Sequence, residues 1–145
     1  TGIIVGNVDR WPLPNVWLGV SIEDQARADE RIPLLLQTPA ALRFVSAEPL
    51  LGPIDLNRIE KGDSLLQSLN CHRWMKGGLD WVIVGGESGP GARPCDLAWI
   101  RSIHDQCRAA GVACFMKQDY GSRPGKQGRI PNTLWTKEWP SVRIT

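Results

Sequence analysis

The chain has 145 residues, 42% of them hydrophobic and 22% charged, with 17 basic and 15 acidic side chains for a net charge of +2. That length supports one domain with a real core, and the near balance of charge gives no bulk reason to expect a nucleic-acid or membrane surface. No apolar run approaches the roughly 20 residues that a bilayer span requires, and no secretory signal opens the chain.

Residues 1–14 carry Gly2, Gly6, Pro12 and Pro14 around a short Ile3-Ile4-Val5 run and read as an irregular lead-in. The chain begins Thr1-Gly2-Ile3 rather than on methionine, as a processed, trimmed or excised chain would. Residues 16–21 form the first strand. Residues 22–37 follow with helix formers and with acids toward the amino end, where the helix dipole favours them. Pro33 lies inside that pattern and removes a backbone donor, so a kink or a two-piece helix is expected. Residues 43–48 are the second strand. Residues 54–78 have only patchy helical spacing, interrupted at Gly62-Asp63, and read as a surface excursion.

The third strand is the clearest. After Leu79, the run Trp81-Val82-Ile83-Val84 is wholly apolar, as suits a strand buried on both faces of a parallel sheet. It breaks into Gly85-Gly86-Glu87-Ser88-Gly89-Pro90-Gly91. This turn is neither a phosphate-binding loop nor a GxGxxG fingerprint. Its glycines either let backbone approach a ligand or simply make a tight connection with Glu87 facing water. A helix then opens at Asp96, a good N-cap, and sets Leu97, Ile100, Ile103, Cys107 and Ala110 on one face. Gly111 stops it. Residues 112–117 are the fourth strand, and residues 119–145 form an irregular, basic tail that Trp135 and Trp139 anchor to the body.

The four cysteines, Cys71, Cys95, Cys107 and Cys114, contain no CxxC, and His72 and His104 complete no zinc-finger spacing. They read as structural thiols of a reducing cytoplasm, with no metal assigned. Cys71-His72 has no further ligands in view.

Strands alternating with returns predict a single α/β domain over residues 1–145, with its core at about 11–118, and four parallel strands joined by right-handed, helical crossovers. Each strand ends in polar residues: Ser21 with Glu23, Ser46 with Glu48, Glu87 with Ser88, and Lys117 with Gln118. In a barrel or half-barrel these side chains converge on one rim. A lysine among carboxylates suits substrate orientation, proton transfer or anion capture. Glu48, Glu87 and Lys117 are therefore the candidate catalytic residues, and Ser46, Gly85, Gly86, Ser88 and Gln118 the candidate substrate contacts. The plainer alternative is that strand ends are polar anyway and these charges are only solvated. Arg123, Lys126 and Arg129, near the tail tryptophans, are candidate nucleic-acid contacts, since cations among aromatics suit single strands.

The segments WPLPNVWLGVSIEDQARADERIPLLL, RFVSAEPLLGPIDL, LDWVIVGGESGPGARPCDLAWIRSIHDQC and GVACFMKQ, in that order, resemble the carboxyl-terminal half of a phage and prophage family described as radical-SAM-like. The resemblance covers residues 11–118, leaving 54–78 and the tail outside it. It implies half of a (β/α) barrel. It also implies that S-adenosylmethionine and an iron–sulfur cluster would enter only through an amino-terminal half bearing the cluster cysteines; this chain alone has no cofactor assigned. None of its own cysteines falls at a position resembling that motif.

Three readings of function follow. The chain supplies the rim of a barrel enzyme without independent catalysis; it is a mobile-element protein that binds and inhibits a host defence complex or nuclease; or it is a nucleic-acid-binding module. A bacterial cytoplasm is the expected setting. A half-barrel leaves two open strand edges and an inner face, expected to be lined by Phe44, Val45, Val82 and Val84, so a protein partner or a homodimer is expected and a membrane is not.

Overall fold

A computed structural model describes residues 11–69 and 77–141. The Ile3-Ile4-Val5 run and the Cys71-His72 pair lie outside the described residues. The main sheet contains β1 (Trp17–Ser21), β2 (Leu42–Ala47), β5 (Trp81–Gly85) and β6 (Ala113–Gln118). All neighbours are parallel and lie in chain order, β1-β2-β5-β6. This is the α/β arrangement that the alternation of apolar runs and returns predicts.

Helix α1 (Gln25–Gln37) starts where Asp24, in extended backbone, accepts from the Arg27 N–H at 2.9 Å. It buries Ala28, Ile32, Pro33 and Leu35. One helix runs through Pro33, so the two-piece alternative does not hold. Ile32 and Leu35, on either side of Pro33 in the helix, are anchored in the core. Helix α2 (Leu97–Ala110) is capped by Asp96, which accepts from the Ala98 N–H at 2.8 Å, and ends at Gly111 in the left-handed region with φ 70°. Its buried Ile100, Ile103, His104 and Cys107 follow the spacing of one helical face.

Residues 54–69 correct the expectation of a surface excursion. They carry a small antiparallel hairpin, β3 (Ile59–Lys61) with β4 (Ser64–Leu66). Ile54, Leu56, Ile59 and Leu69 are all buried in the main core. Gln25 of α1 accepts from the Asp55 N–H at 2.7 Å, and Gln106 of α2 accepts from the Leu56 N–H at 2.8 Å. The segment thus spans the gap between the two helices and stands where a third crossover helix would be.

Side chains alternate across the sheet with period two. Val45, Ala47, Val82, Val84, Cys114 and Met116 enter the core beneath the helices. Val45, Val82 and Val84 therefore do not lie on the open face of the sheet; of the four residues expected there, only Phe44 does, packed beside Trp81. Edge exposure needs a second correction. Residues 136–138 run antiparallel along β6, with the Met116 N–H donating to the Thr136 carbonyl at 2.8 Å and the Glu138 N–H to that of Cys114 at 3.2 Å. The tail is also part of the core, burying Ile130 and Leu134. Among the described residues no helix is long and apolar enough to cross a membrane.

Candidate functional site

Parallel strands deliver their carboxyl ends to one rim, and three of the expected residues meet there. Glu48 follows β2 directly. Lys117 Nζ donates to both of its carboxylate oxygens at 2.9 Å. Gln118, fully buried, donates to Glu48 Oε1 at 3.2 Å and to the Gly86 carbonyl at 2.8 Å, and accepts from the Gly125 N–H at 2.8 Å. Two local features allow this. The register pairs Val84 with Met116 but Gly85 with Gln118, so β6 carries an extra residue at Lys117. Such a bulge re-aims side chains, here bringing both Lys117 and Gln118 to one carboxylate. Gly85 leaves room between the strands: a Cβ there would sit 3.4 Å from both Glu48 Cγ and Gln118 Cγ.

Gly86 serves a closer approach. A Cβ on it would fall 2.3 Å from the Tyr120 backbone nitrogen. Both expected substrate-contact glycines thus have a packing reason to be glycine. Ser88 is exposed and pairs through its backbone with Gly121. Ser46 lies on the face opposite the helices, beside Glu48.

Glu87 reaches the same end of the sheet but turns to a different partner. Arg93 grips it through Nε at 2.9 Å, a terminal nitrogen at 2.7 Å and the backbone N–H at 2.7 Å. These side-chain and backbone hydrogen bonds lower its pKa to about 2. Glu87 closes its own loop and does not join the Glu48–Lys117 pair. Arg129 is likewise engaged. It donates to Asp119 Oδ2 at 2.9 Å, to Oδ1 at 2.8 Å and to the Cys95 carbonyl at 2.8 Å, with its guanidinium 4.6 Å from the Tyr120 ring centre. Arg123 and Lys126 are exposed.

The helix-free face of the sheet is aromatic. Trp81 is at its centre, 5.9 Å from Trp17, 5.7 Å from Phe44, 6.0 Å from Phe115 and 4.7 Å from Trp139, with which it stacks. The indole N–H of Trp81 donates to the Glu138 carbonyl at 2.9 Å, fixing the tail across this face. Lys137 lies over the Trp135 and Phe115 rings and donates to the Met116 carbonyl. Burial lowers its pKa. Between these groups and the Glu48–Lys117 pair is an open cleft of about 470 Å³, in the size range of small-molecule sites. Sequence reasoning missed Trp81, Phe115, Lys137 and Trp139 as cleft residues. The available signal was the seven tryptophans together with period-two spacing along the strands.

Over residues 2–136 the chain matches the family model described as a protein of unknown function, DUF5131. The chain belongs to that family. The matched region extends through the tail that folds over Asp119 and ends at Thr136, the first residue of the strap along β6. No curated protein and no solved structure matches the chain.

The described cysteines do not fit an iron–sulfur cluster. Cys95, Cys107 and Cys114 are buried, free thiols. Burial, with Asp119 nearby, pushes Cys95 up to about 11, and the hydrogen bond to Cys114 together with burial pushes Cys107 higher still. A cluster gathers several cysteine ligands at one site, and the described cysteines form no such group. Cys107 and Cys114 also lie beneath the helices, across the sheet from the cleft. Among the described residues no three His, Cys, Asp or Glu side chains come together for a metal ion.

Proposed function

We propose that this chain supplies the carboxyl-terminal half of a radical-SAM-like (β/α) barrel of a phage or other mobile element, working in a bacterial cytoplasm. Its own part is to present Glu48, Lys117, Gln118 and Ser46 to the barrel interior, without independent catalysis. S-adenosylmethionine and the cluster would belong to an amino-terminal half. One observation carries the reading: the parallel strands follow chain order, and both helices and the hairpin segment pack on one face. Right-handed crossovers in a single direction of travel put every connection on the same side, which is barrel winding. A doubly wound sheet would reverse direction and cover both faces. The free face carries the aromatic cluster and the charged pair, as a barrel interior would.

Anaerobic reconstitution with a cluster-bearing amino-terminal half tests this. Reductive cleavage of S-adenosylmethionine is expected only with both halves present, and Lys117→Met should reduce it. No cleavage in either case would overturn the proposal.

A second reading, a binding protein that blocks a host complex, is favoured by Trp11 and Trp139, which are 49% and 62% exposed. It predicts a stoichiometric partner whose binding weakens in Trp139→Ala. A nucleic-acid role retains only Arg123 and Lys126, because Arg129 is committed to Asp119.

A further inference from the structure

Charge and shape in the cleft point to a ligand class. Both Glu48 oxygens are already taken by Lys117, and one also receives the Gln118 amide. That carboxylate is satisfied from within the fold. An ammonium has three donors, so Lys117, with its side chain 47% exposed, keeps one for a ligand. Lys137 adds positive charge to the lining, with its own Nζ held by the Met116 carbonyl and the Phe115 and Trp135 rings. Gly125, also in the lining, is flanked by the exposed Lys126, with Arg123 two residues before it. The mouth therefore favours an anion. Its lining favours a flat ring: Ile83 and Phe115 line it, and Trp139, mostly exposed, stacks one face on Trp81 and leaves the other open.

We infer that the cleft binds a nucleotide, with the base against the Phe115–Trp139 wall and a phosphate at Lys117. This names a ligand class for the site proposed above and rests on that reading of the open face. The same chemistry is offered by a free nucleotide and by the phosphorylated end of a single strand.

Binding to this chain needs no cluster, so it can fail or succeed independently of the reductive cleavage assay. Calorimetry and tryptophan quenching with AMP, adenosine and inorganic phosphate provide the test. AMP should bind about tenfold tighter than adenosine or phosphate, as expected for one charge-assisted contact. Lys117→Gln should reduce AMP affinity to that of adenosine. Glu48→Gln, which frees the ammonium, should strengthen AMP binding, whereas a merely structural role for the pair would make both variants weaker. A 5′-phosphorylated oligonucleotide binding tighter than AMP would identify a strand end as the source, and weaker binding a free nucleotide. AMP binding no tighter than adenosine, or Glu48→Gln weakening it, would overturn the inference.

Discussion

Asp119 shows how a single residue secures the site. It is 3% exposed, and burial alone would raise its pKa; hydrogen bonds from the Arg129 side chain, the Arg129 backbone and the Tyr120 backbone outweigh that, and the net shift is downward. A carboxylate whose folded pKa lies below its unfolded value stabilises the fold above that unfolded value, here 3.8. The contribution is lost as pH falls through the lower folded pKa. Arg129→Ala should cost about 1–3 kcal/mol in urea denaturation at pH 7, the lower part of the range reflecting the half-exposed guanidinium. The deficit should shrink below pH 3.8. Glu87 obeys the same sign: its carboxylate should titrate at about 2 by NMR and return toward the ordinary 4.5 in Arg93→Ala. An unchanged titration would mean that Arg93 does not hold it. The sequence shows that Glu48, Lys117 and Gln118 end strands, and parallel geometry does the rest. It does not show that Glu87 turns to Arg93 or Arg129 to Asp119, because both choices depend on how irregular loops fold back.

At the scale of elements, legibility follows length. Helix α2 is readable because a capping aspartate, a full apolar face and a stop glycine agree. Ile103→Ala there should destabilise by about 2–4 kcal/mol, and a loss under half a kcal/mol would mean the face is not buried. The β3–β4 hairpin is unreadable because three-residue strands are too short to establish a period. The signal that remained was Ile54-x-Leu56 with Ile59, apolar residues that a surface loop would not need. Close approach is also invisible in sequence. Gly86→Ala would force a Cβ into Tyr120 backbone, and overpacking of that kind costs about 1–3 kcal/mol. A neutral effect in thermal unfolding would show that the 119–120 turn yields easily.

For the whole molecule, strand order is legible from alternation alone, while the sides of the sheet are not. Val45, Val82 and Val84 belong under the helices, and the free face is instead aromatic, with one edge already strapped by residues 136–138. A barrel completed by further strands must cover that free face and leave the helix layer exposed as it is. Thiol labelling follows both at once, in a Cys71→Ser background where Cys95, Cys107 and Cys114 stay buried. Ser46→Cys places a probe in the cleft, and Ser102→Cys places one on the exposed side of α2. When an amino-terminal half is added, the Ser46→Cys thiol should become protected while the Ser102→Cys thiol reacts as before. Unchanged labelling at position 46, or equal protection at both positions, would contradict it.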